Sequence, residues 1–135
     1  MTPEKILEFN KLCCLFLNWK FNPTTSIHFP KGTWIDLNGI GHCAEKGLKF
    51  HSDWNWIMEV VEAIEINFPI HTLQWEYDDR EEFAKDGRYK AYWFTLHPKD
   101  EICSGLTDLR NKSRKEAVVQ AINQFLIWYN ENAEA

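Results

Sequence analysis

Histidine and cysteine come together only once in this chain, at His42-Cys43 with His51 following. Imidazole and thiolate are zinc ligands, and together they can also form a nucleophile–base pair. A structural zinc site normally brings paired ligands separated by two to four residues, which adjacent His42 and Cys43 do not supply. The remaining His28, His71, His97 and Cys103 are scattered along the chain. No nucleophile-elbow signature surrounds any cysteine, so neither a metal, a cofactor nor a catalytic residue is expected. Acids cluster at Asp78, Asp79, Glu81 and Glu82, a combination able to bind a divalent cation or share acid–base work. Here Arg80 interrupts them and Lys85 and Arg88 follow, the composition of a solvated charged loop. Phosphate-binding, dinucleotide and zincin motifs are absent.

Two further groups suit binding better than catalysis. Arg110, Lys112, Arg114 and Lys115 surround the start of the last helical pattern, where the helix dipole favours negative charge. Cations there break a local rule, and such violations sometimes mark function. The patch is the best electrostatic candidate for an acidic partner surface, although long basic side chains also splay harmlessly into water. The second group is Trp54 and Trp56. Two residues apart lie about 200° around a helix axis, so the rings cannot point the same way. The favoured reading puts Trp54 in the core and Trp56 at its margin. The sharper one makes Trp56 an exposed anchor, because tryptophan is enriched at binding hot spots.

The elements that must position these residues follow from periodicity. Thr2-Pro3 is a helix start, and Ile6, Phe9, Cys13 and Phe16 recur at helical spacing, predicting a helix over Pro3–Leu17. Residues 18–32 hold two prolines and read as loop, with short extended pieces near 19–21 and 26–29. Thr33–Leu37 reads as a strand, and residues 38–49, with three glycines, as irregular. Ser52 or Asp53 caps a second helix whose stripe is Trp54, Ile57, Val61, Ile64 and Phe68, widened by Met58 and Val60. Alternation predicts strands over 71–77 and 90–96, with one helical turn possible near 80–85. Ser113 and Glu116 form a capping box for a third helix over Val118, Ala121, Ile122, Phe125 and Tyr129, ending near residue 130 before a frayed polar tail. The expected fold class is α+β: three amphipathic helices packed on a small, mainly antiparallel sheet in one domain.

The chain has 135 residues, 44% of them apolar, with seven Trp, nine Phe and four Tyr. That is enough ring surface for one stable core. The net charge of −5 argues against nucleic acid, which demands a basic surface. No run approaches the roughly 20 apolar residues that span a bilayer, so no membrane partner is expected. The four cysteines read as free thiols in a reducing compartment. Cytoplasmic localisation is the expectation.

One resemblance adds to this. Ser52-x-Trp54-x-Trp56-x-Met58-x-Val60-Val61-Glu62-x-Ile64 resembles a motif of small uncharacterised proteins encoded by bacteriophages and by bacteria of the Bacteroides and Flavobacterium group. Ala117-Val118-Val119-x-Ala121-Ile122-x-x-Phe125-Leu126-x-Trp128-Tyr129-Asn130 looks like their closing helix. The resemblance covers under a third of the chain, and Met58 and Glu59 stand where that family often has leucine or proline. It implies a phage or prophage origin and transfers no activity. The leading expectation is a non-enzymatic domain that binds a protein partner, its oligomeric state left open by the pattern. The alternative is a small enzyme or ligand-binding protein with a pocket near residues 38–51, drawing on His42, Cys43, His51 and the acids of 78–82. That alternative requires at least two of these side chains to converge.

Overall fold

The structure, a computed structural model, describes residues 2–44, 46–69, 71–83, 85, 87–95 and 110–132. The expectations for His97, Cys103 and the tail after residue 132 lie outside them. Helix α1 spans Pro3–Phe16, with the Thr2 hydroxyl accepting from the Lys5 amide. Asn18, at φ +64°, closes it. The Asn18 amide donates to the Leu15 carbonyl and the Trp19 amide to that of Cys14, the paired bonds that satisfy a helix end through a left-handed residue. This turn carries Trp19 back over the core.

Strands β1 (Lys20–Asn22), β2 (Thr33–Ile35) and β3 (Gly41–Cys43) form an antiparallel meander in that order. The expected strand at 33–37 is shorter, and residues 38–49 are not wholly irregular, because β3 lies within them. The segment 26–29 forms no strand but folds over the meander. A Cβ on Gly41 would lie 2.7 Å from the Phe29 ring, so β3 has no side chain at that point. Phe21, Trp34 and His42 share one row of the sheet.

Helix α2 runs Trp54–Asn67 behind an Asp53 cap. Its buried stripe is Ile57, Val60, Val61 and Ile64. Trp54 is 37% exposed and Met58 39%, correcting their placement in the core. Strands β4 (His71–Tyr77) and β5 (Tyr89–Thr95) form a second antiparallel sheet, with Glu81–Phe83 making one short helical turn between them. Helix α3 spans Arg114–Asn132, and the Ser113 hydroxyl accepts from the Glu116 amide. The fold is α+β, with two small sheets where one was expected.

The helices and both sheets share one apolar core. Phe125 of α3 is fully buried among rings from α1, α2 and β5. The buried Trp93 indole donates to the Ala121 carbonyl at 3.0 Å, so the large ring is held by polarity as well as volume.

Candidate functional site

The basic segment divides into distinct roles. Arg110 is half-buried and pairs with Asp78 at 3.4 Å. Asp78 also takes the Arg80 guanidinium at 2.6 Å. Its carboxyl is held far below the usual range, first by the Arg80 hydrogen bond, and with Arg110 contributing charge. Arg110 therefore helps fasten the β4–β5 loop to the entry of α3, while Lys112 is exposed. Arg114 and Lys115 do not simply splay into water. The Arg114 guanidinium lies 5.6 Å from the Trp75 ring centre, and the Lys115 ammonium 6.0 Å from that of Trp54. Adjacent residues at the start of a helix diverge by about 100°, so one reaches β4 and the other the first turn of α2. Trp75 is 43% exposed. The result is two half-covered indoles, each with a cation seated over it.

Trp56 lies elsewhere. Its half-buried ring packs 4.9 Å from Phe50, 5.2 Å from His42 and 5.8 Å from Trp19. His42 stacks on Trp19 at 5.1 Å, and its Nε2 donates to Asp36 at 3.0 Å. Asp36 is positioned by the β2–β3 turn, where its other oxygen accepts from the Asn38 and Ile40 amides. Gly39, at φ +81°, permits that turn. The rings of Trp19, His42 and Trp56, with Asn38 and Glu59, line a cleft of about 230 Å3. Burial works to raise the Asp36 carboxyl, but His42 and the two amides outweigh it and leave it below the ordinary value.

A carboxyl lowered in the folded state stabilises the fold above its unfolded value, about pH 4. That stabilisation is lost as pH falls through the folded value. Asp36→Asn is therefore expected to destabilise the protein at neutral pH but to match it increasingly closely as acid is added. Urea midpoints measured between pH 6 and pH 3, values that bracket the reference of about 4 for aspartate, check this. A constant gap between the two proteins would refute it.

The other sequence candidates do not converge. Cys43 is exposed on the far side of β3 from His42, and Asp78 sits in the β4–β5 loop. Burial lifts the Cys14 thiol to about 12 and Cys13 well above its ordinary value. Neither is therefore a nucleophile at neutral pH. No group of three or more metal-ligating side chains exists among the described residues.

Two concavities went unread in the sequence. One, of about 560 Å3, is an apolar groove where Leu7 and Leu15 of α1 face Phe21 over Trp34 and Leu48. The other, of about 500 Å3, is polar and collects Lys5, His51, Asn111, Glu116, Gln120 and Asn123. The α3 members recur at helical spacing and were legible as one face. Their meeting with Lys5 and His51 is tertiary and was not. Among the described residues, no helix is long and apolar enough to cross a membrane. No protein-family model, curated protein or solved structure matches the chain.

Proposed function

We propose that this protein, of phage or prophage type, is a non-enzymatic binding domain that grips an acidic protein surface through Trp54, Trp75, Arg114 and Lys115. The observation that carries the reading is the seating of both cations over exposed indoles. A long basic side chain held against a ring has less freedom left to lose on binding, which lowers a cost of about 0.5–1.5 kcal/mol per immobilised side chain. The rings add apolar contact of the type that anchors protein interfaces. Against an overall charge of −5, a local basic face also orients an acidic partner during encounter. The dispersal of His42, Cys43, His51 and Asp78 favours binding over catalysis.

The test is affinity capture from host lysate by the protein and its Arg114→Glu/Lys115→Glu variant. A partner specific to the face is retained roughly tenfold less by the variant and is shed as salt rises. A Lys112→Glu variant changes the charge without touching either indole, and is expected to retain the partner better than the double variant. Capture of every protein unchanged by the double charge reversal would sink the proposal.

A further inference from the structure

We infer that the polar cavity between α1 and α3 is a binding site for a free nucleobase or nucleoside, recognised along an edge where an N–H lies beside a hydrogen-bond acceptor. The cavity, about 500 Å3, has the size of an ordinary small-ligand site. Three of its hydrogen-bonding side chains, Asn111, Gln120 and His51, are held by contacts of their own. The Asn111 side-chain nitrogen donates to Gln120 Oε1 at 2.6 Å. Whichever of the two amides donates in that pair, the side chains retain one oxygen and one N–H between them, neither with another partner among the described residues. Two linked carboxamides thus present an acceptor beside a donor. This is the complement of the lactam edge of uracil or hypoxanthine and of the amidine edge of cytosine or adenine.

His51 is fixed the same way. The buried Asn10 amide nitrogen donates to the Leu48 carbonyl at 3.4 Å and approaches His51 Nδ1 at 3.3 Å. A nitrogen that donates to a carbonyl is an amide N–H, so His51 Nδ1 accepts and its Nε2 carries the proton. Burial lowers the His51 pKa, which keeps the ring neutral at pH 7 and its Nε2–H a donor. Ile6 and Val119 supply apolar wall of the kind against which a flat base packs. The backbone holds Asn111 in place, since its amide and carbonyl both pair with Tyr89 at the edge of β5. Lys5 is the one cation in the lining and Glu116 offsets it, so with a net charge of −5 the cavity has no surplus positive charge for a polyphosphate chain, and the ligand is the free base or nucleoside rather than a strand.

Titration of 15N-labelled protein with uridine, inosine, cytidine and adenosine tests this. At least one nucleoside is expected to bind and to shift the Asn111 and Gln120 side-chain amide resonances. Methylation of the ring N–H, as in 3-methyluridine, removes the donor and is expected to weaken uridine binding about tenfold or more. Gln120→Glu retains an oxygen for the Asn111 N–H while replacing an amide donor of the pair with an acceptor, so the fold is kept and binding falls by a similar factor. Absence of any shift at millimolar nucleoside would overturn the inference. So would equal binding of methylated and parent nucleosides, or tighter binding of an oligonucleotide than of its nucleoside. None of these outcomes depends on the Arg114–Lys115 face.

Discussion

Phe125→Ala is expected to destabilise the protein by about 3–5 kcal/mol. Phe125 is fully buried, and its ring meets Phe68 at 5.3 Å, Trp93 at 5.5 Å and Phe16 at 5.8 Å. Trp128 at 5.8 Å and Tyr129 at 6.4 Å complete the cluster. Alanine removes the transfer free energy of the ring and leaves a void walled by large rigid side chains. Rings held from α1, from the end of α2 and from β5 cannot all close on that void, so little of the loss is recovered. A domain of this size is stable by only about 5–15 kcal/mol, so one substitution removes a large share. Denaturant unfolding monitored by tryptophan fluorescence gives the number. Leu37→Ala, at a side chain 77% exposed, should stay within about 0.5 kcal/mol of the parent. A Phe125→Ala loss below about 1 kcal/mol would mean that the cluster repacks, contrary to the rigidity argued from its geometry.

The same cluster explains what the sequence revealed. Helices α1, α2 and α3 were legible because each must bury a stripe, and burial imposes a helical period on the apolar residues. The period failed where a stripe is wider than the surface it faces. Trp54 lies on the apolar stripe of α2, yet the helix starts there, beyond the core, and Lys115 covers the ring instead. Trp56, off the stripe, finds Trp19, Phe50 and His42, which arrive from the meander and the preceding loop. That meander was only half visible. Strand β3 is three residues long and begins on Gly41, too short for an alternating pattern. Yet Asn38-Gly39 between two extended runs was a usable hairpin signal. Of the capping box, the Ser113 half formed, its hydroxyl accepting from the Glu116 amide, whereas the fate of the neighbouring cations was not legible, since nothing local says that a strand and another helix will bring indoles beneath Arg114 and Lys115. The polar cavity is the extreme case. Lys5, His51 and Asn111 are far apart in sequence, and only the packing of α1 against α3 makes them neighbours.

Gly87→Ala tests whether that tertiary convergence is held by a single close approach. Gly87 has φ +104°, a conformation that costs an L-residue roughly 1–2 kcal/mol. An added methyl would also stand 2.4 Å from the backbone carbonyl carbon and oxygen of Asn111. A flexible side chain can swing away from such a contact, but backbone cannot. The Asn111 segment would have to move and weaken its paired bonds to Tyr89, 2.9 and 3.1 Å long, each worth about 0.5–1.5 kcal/mol. The expected total is about 2–4 kcal/mol, with faster hydrogen exchange at the Tyr89 and Asn111 amides as its local signature. Gly32 supplies the control. It also has positive φ, at +84°, yet nothing lies within 4 Å of an added methyl, so Gly32→Ala carries the conformational cost alone, about 1–2 kcal/mol. A clear excess for Gly87→Ala therefore measures the backbone contact itself. Equal losses would show that the Asn111 segment yields freely, and that the carboxamide pair it carries is not held in one place by this glycine.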